Sequence, residues 1–174
     1  MNFAVLQFTY AMVTGPMKDP RAFYGTTAAI PQAYRLPIWP GGAHAGIWLS
    51  VAVAALMYLV LRYTVFGLQL SAVGGNRPAA VAAGIPASRV MALAVLLGGA
   101  LAGLAGGIQV MGLTYRVAEG WSKSWGFSGI PVALLGGNPL GALIVAFIFA
   151  VLETGSRSMQ ATTGVPAALV YLFQ

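Results

Sequence analysis

The chain has 174 residues, 59% of them hydrophobic, with nine basic and three acidic side chains and a formal charge of +6. Soluble domains carry about a quarter charged residues, so this composition argues against a water-solvated globule. The absence of cysteine removes disulfides, thiolate metal sites and thiol redox chemistry, and the basic residues stand singly between apolar runs, unlike the basic clusters that bind nucleic acid.

The charges are spaced like loop markers: residues 36–61, 90–115 and 124–152 contain no Asp, Glu, Lys or Arg. A membrane helix needs about 20 mostly apolar residues, and a central charge costs about 2.5–3.5 kcal/mol. Three such windows therefore predict membrane spans. Residues 1–13 read as the last part of a span, ended by Gly15-Pro16, without the basic leader of a signal peptide. A connection over 14–44 follows, with Lys18, Asp19, Arg21 and Arg35. Its Tyr24, Tyr34 and Trp39, together with Trp48, suit an interfacial belt.

The next span is expected over 45–61. Residues 62–89 carry Arg62, Arg77 and Arg89 and no acid, which places them in the cytoplasm by the positive-inside tendency. Within them Gly74-Gly75-Asn76-Arg77-Pro78 reads as a turn and helix start. Ala79 to Ala83 then form a short helix, and Gly84 takes the left-handed end position. That helix is about 10 Å long, too short to be stable alone in water, so it needs something to pack against.

The span over 90–111 carries two rows of small residues, Gly98, Ala102, Gly106 and Gly99, Gly103, Gly107. Four-residue spacing puts each row on one helix face, where glycine allows close backbone approach, so this span is expected to be buried among helices. The loop with Arg116, Glu119, Trp121, Lys123 and Trp125 returns to the opposite side of the membrane. Residues 126–139 are bounded by Gly and Pro and too short to span, which predicts a discontinuous half-helix near 128–136. A further span is expected over 140–155, ending at Glu153 and Arg157. The apolar run 166–174 opens another that the sequence does not complete, so spans are expected to be missing at both ends.

Two stretches carry a family resemblance: residues 67–107, from Gly-Leu-Gln-Leu-Ser-Ala-Val-Gly-Gly-Asn-Arg-Pro to the glycine-rich span, and residues 126–141, Gly-Phe-Ser-Gly-Ile-Pro-Val-Ala-Leu-Leu-Gly-Gly-Asn-Pro-Leu-Gly. Both resemble the ATP-binding-cassette (ABC) importer permeases for ribose, nucleosides and branched-chain amino acids. The second stretch, with Gly15 to Pro20, is similar to the nucleoside branch, whose substrate is handed over by a basic membrane lipoprotein. Gly75 departs from that pattern, where many relatives carry a polar residue, and Pro131 is unusual within the half-helix.

The resemblance implies an all-α, polytopic transmembrane helical bundle with a short cytoplasmic coupling helix and a discontinuous half-helix, one permease domain in a bacterial inner membrane. It implies ATPase-coupling contacts at Gly74, Asn76, Arg77, Pro78, Ala79, Ala80, Ala83 and Gly84. The implied partners are a cytoplasmic ATP-binding subunit, a second permease subunit, an extracytoplasmic substrate-binding protein and the lipid bilayer. The same loop helix lying on the membrane surface is the plainer alternative.

No phosphate-binding loop, no pair of acids for general acid/base catalysis and no cofactor motif is present, so ATP would be hydrolysed by a partner. Gln109, Phe127 and Asn138 are candidates for the substrate path, although an Asn before Pro is first of all a helix cap. Trp121, Trp125 and Phe127 suit either base stacking or an interfacial belt. His44 stands alone, without a ligand-spaced neighbour, and is given no role. Besides the importer, a secondary carrier or channel and an intramembrane enzyme remain as competing functions. A carrier usually keeps an ionisable group near the bilayer centre, and Glu153 is the nearest candidate.

Overall fold

The computed structural model describes residues 2–39, 42, 44–118 and 125–163. The elements, in order, are α1 (Asn2–Thr14), a 3-10 turn (Gln32–Tyr34), α2 (Gly46–Tyr63), α3 (Val65–Gly75) and α4 (Arg77–Ala82). After them come α5 (Ala87–Gln109), a π-helical turn (Val110–Thr114), α6 (Trp125–Gly136) and α7 (Pro139–Thr163). Among the described residues the only extended pairings are three isolated bridges. The fold is all-α. Among the described residues three helices are long and apolar enough to cross a membrane: Gly46–Tyr63, Ala87–Thr114 and Pro139–Ser156. The chain divides into two compact units, one built on α1 to α5 and one on α6 and α7 with the middle of α2.

In the first unit the start of α2 lies against the end of α5, where a side chain on Gly46 would collide with Ile108. At that end the 15–44 connection is fastened to the residues after α5 by backbone hydrogen bonds. Leu36 donates to Met111 (3.0 Å), Ile30 to Tyr115 (2.8 Å) and Thr27 to Val117 (2.9 Å). The guanidinium of Arg35 lies 4.4 Å above the Tyr115 ring. These contacts hold Tyr115 at φ 55°, a left-handed conformation rare for a large side chain.

The π turn has a packing reason: His44 is wedged between Gly46 and Gly112, and a Cβ on Gly112 would stand 2.9 Å from the His44 Nδ1. That Nδ1 is buried and has no hydrogen-bond partner among the described residues.

At the other end of α2 and α5 the chain makes an elbow. Here the sequence expectation was incomplete: residues 65–75 are helical, where a loop was expected. Thr64 explains the break. Its Oγ1 accepts from the Gly67 N–H (3.4 Å) and donates to the Val60 carbonyl (2.6 Å), ending α2 and capping α3. Gly67 is forced by proximity, since any side chain there would overlap the Leu61 backbone.

The glycine-rich span, expected to be buried among helices, meets no covering helix among the described residues. Added side chains at Gly98, Gly99, Gly103 and Gly107 would meet open space, and Ala102 is exposed.

In the second unit α6 and α7 form a hairpin. Gly137 turns the chain at φ 63°, and Gly136 packs so closely on Ala142 that a Cβ would approach its backbone to 2.5 Å. The half-helix is continuous through Pro131. The following helix extends beyond the expected 155, to Thr163. The loop residues Glu119, Trp121 and Lys123 and the run 166–174 lie outside the described residues, as do the side chains of Trp125 and Arg157.

Candidate functional site

The elbow is a small folded device in its own right. Asn76 serves both helices that meet on it. Its backbone N–H closes α3 on the Ala72 carbonyl (3.0 Å), and its Oδ1 accepts from the Ala79 N–H (3.0 Å) to cap α4. Pro78 occupies the second helical position of α4, one later than the sequence suggested; its missing N–H is still one of the four that a helix start leaves unpaired.

The other end of α4 closes by two bonds, Ile85 N–H to the Ala80 carbonyl (3.0 Å) and Gly84 N–H to the Val81 carbonyl (2.9 Å). With Gly84 at φ 83° this is a Schellman ending, and Ile85 packs back towards Ala80 as that motif requires. Left-handed Gly84 was expected from the sequence; the double closure was not.

A short helix needs a platform, and this chain supplies it. Ala80 (4% exposed), Val73, Ala87 and Val90 form a buried cluster, flanked by Phe66, Leu70, Ala72 and Ile85. Ala80 therefore differs from the other coupling candidates: its methyl points into the cluster, so it supports the elbow and offers no surface to a partner. Gly74, Asn76, Arg77, Pro78, Ala79, Ala83 and Gly84 are exposed, and so are Ala82 and Val81, the latter at 55%. The outward face of α4 is thus small and apolar. Arg62, Arg77 and Arg89, all exposed, are the elbow's charges.

The substrate-path candidates fall in different units. Gln109 is half-buried at the end of α5, in the first unit, whereas Phe127 (67% exposed) and Asn138 belong to the second. Asn138 caps α7, its Oδ1 accepting from the Gly141 N–H at 2.9 Å, the role its place before Pro139 suggested. The two Gly-Gly-Asn runs thus do the same local work, each Asn capping a helix through the N–H three residues on.

A cleft missed by the sequence reading lies between α6 and α7, about 220 Å³ in volume, with Ser128, Phe149 and Glu153 on its walls. Its signal was legible in retrospect: Ala146, Ala150 and Glu153 recur on one face of α7. No group of acids, histidines or cysteines able to hold a metal occurs among the described residues.

A profile of the family described as branched-chain amino acid transport system, permease component, matches residues 1–174. A glucose ABC transporter permease of Haloferax volcanii is 33% identical over all of this chain and 49% of its own length. A nucleoside ABC transporter permease of Lactococcus lactis is 38% identical over 72% of this chain and 35% of its own. A guanosine ABC transporter permease of Bacillus subtilis is 35% identical over 73% of this chain and 37% of its own. The chain thus spans half or less of the length of these relatives. No solved structure matches it. With a full-length family match, relatives across the sugar and nucleoside permeases and an apolar all-α fold, the chain belongs to the permease component family of ABC transporters, as a multi-pass membrane protein.

Proposed function

We propose that this chain forms part of the transmembrane permease of an ABC importer that moves a nucleoside or a related sugar inward. The energy comes from ATP hydrolysed by a partner subunit. The observation that carries the reading is the elbow. A six-residue helix is locked at both ends and by one buried methyl, and its other side is left free. A helix this short cannot persist by itself, and packing it rigidly while leaving a small apolar face open suits a knob that enters a groove on another protein. Exposed arginines around it suit an acidic rim on that partner.

The remaining partners follow the same logic. The elbow faces the cytoplasm of a bacterial plasma membrane, by the positive-inside tendency. The 15–44 connection, at the opposite end of α2 and α5, then faces an extracytoplasmic substrate-binding protein. The open glycine rows of α5 meet helices outside this chain, in a second permease subunit or the rest of this one. The relatives' names include nucleoside, guanosine, glucose and arabinose transporters. These solutes share a ring bearing neighbouring hydroxyls, which is the substrate class proposed here.

The test uses the full-length protein co-expressed with its ATP-binding subunit. Val81→Glu and Ala82→Glu place a charge on the outward face of α4 and are expected to weaken capture of that subunit by about thirtyfold or more, the loss typical of a buried hot spot, with ATP-dependent uptake falling in step. Unchanged capture and uptake would reject the coupling assignment. Uptake that survives ATP depletion at constant membrane potential would instead establish a secondary carrier or channel.

A further inference from the structure

The last turn of α5 departs from α register, and the connection that crosses it takes up the group this leaves over. From Val110 the helix continues as a π turn. The Tyr115 N–H reaches back five residues to the Val110 carbonyl (2.9 Å), and the Thr114 hydroxyl leans weakly on the Gln109 carbonyl, also five back (3.5 Å). In an α-helix the Tyr115 N–H would go to Met111, four back. Here the Met111 carbonyl accepts instead from Leu36 (3.0 Å), in the strap formed by residues 27–38. Tyr115 completes the exchange. At φ 55° its carbonyl accepts from Ile30 (2.8 Å), and its ring lies under the Arg35 guanidinium, whose Nε donates to the Ile30 carbonyl (3.1 Å). A large side chain disfavours that left-handed conformation, and single π turns are rare and concentrate at functional sites.

We propose that the strap and this turn form a two-state latch. In the latched state, the one in the structure, Met111 is bonded to Leu36 and the turn is π. In the released state the Tyr115 N–H moves from Val110 to Met111, Tyr115 returns to a right-handed φ, and α5 gains an α turn. A carbonyl can accept two hydrogen bonds, so Met111 alone does not make the states exclusive. Tyr115 does, because turning it right-handed swings its carbonyl away from Ile30 and its ring away from Arg35. Both states satisfy the Tyr115 N–H, which is why the turn switches and does not fray. On the permease reading above, the strap lies on the extracytoplasmic side. A contact made there then grips α5, whose first residues include Ala87 and Val90 of the seat of α4. The latch rests on that reading only for what α4 then does.

The test is amide hydrogen exchange, resolved to single residues, on the complete importer in lipid nanodiscs, with ATP hydrolysis measured alongside. Arg35→Leu takes the guanidinium from Tyr115 and Ile30 and is expected to speed exchange at Leu36 and Ile30 about tenfold. The Tyr115 amide, passed to Met111, is expected to stay within about twofold of the parent, as a group that keeps a hydrogen bond in both states does. Exchange at Tyr115 that rises as much as at Leu36 means plain fraying and overturns the latch. His44→Ala attacks from the other side, withdrawing the ring that stands between Gly46 and Gly112 and letting the turn tighten. It is expected to loosen Leu36 and Ile30 by at least about fivefold, the low end of measured couplings between sites, again with Tyr115 protected. Leu36 exchange unchanged in His44→Ala overturns the latch as well. Either variant decides alone, so one that fails to assemble leaves the other as the test. If the amides respond as expected while ATP turnover is the same in all three proteins, the coupling role of α4 falls and the latch stands. If turnover follows the strap while Tyr115 frays, the coupling role stands and the latch falls.

Discussion

Ala80 and Val81 are adjacent, yet the elbow predicts opposite responses when each receives a charge. Ala80 is 4% exposed and sits among Val73, Ala87 and Val90. Glutamate there must either bury an unpaired carboxylate, at a cost of several kcal/mol, or pull α4 off its platform. The second route is cheaper, because α4 is held by little. The Asn76 cap contributes about 1 kcal/mol, and the buried methyl about the 0.8 kcal/mol of one buried carbon. The elbow is therefore expected to open locally, at a cost of about 2 kcal/mol, while the spans remain folded.

The protein contains no cysteine, so a single Val73→Cys reporter gives a clean signal from beneath α4. Labelling of that thiol by a water-soluble maleimide is expected to accelerate about twentyfold to thirtyfold when Ala80→Glu is added, since each 1.4 kcal/mol is a factor of ten. Val81→Glu, at a site 55% exposed, is expected to leave the rate within about twofold, as surface substitutions stay within about 0.5 kcal/mol. Equal labelling in the parent and Ala80→Glu would refute the packing argument. Rapid labelling in the parent would show that α4 is never seated at all.

Two further perturbations separate packing from capping. Gly112→Ala drives a methyl into the His44 ring and is expected to lower the thermal midpoint in detergent by several degrees; His44→Ala in the same chain is expected to restore part of it, and a double-mutant cycle showing no coupling would rule out the wedge. Asn138→Ala is expected to cost about 1 kcal/mol and Asn138→Asp far less, because either carbonyl-type oxygen can accept from the helix start; equal losses in urea unfolding would count against the cap.

Much of this molecule is legible without coordinates because the bilayer limits the choices. Long charge-free runs have to become helices, since backbone groups in lipid find partners only within the chain. For the same local reason Gly84, Asn76 and Asn138 could be placed: left-handed turns and helix caps depend on the residue itself and its next few neighbours. Helix α3 escaped notice because its boundary is one threonine bonding both ways. The π turn escaped because its cause, His44 between two glycines, lies far away in sequence.

The sequence by itself determined that this is a helical membrane protein, where its capped turns lie, and to which transporter family its motifs belong. Only the tertiary structure decided which residues of α4 are platform and which are free surface. It also showed that the glycine rows of α5 find no partner among the described residues and that Glu153 shares a cleft with Ser128. Those are outcomes of contact between segments distant in the chain, and helical periodicity fixes which residues share a face but not what that face meets.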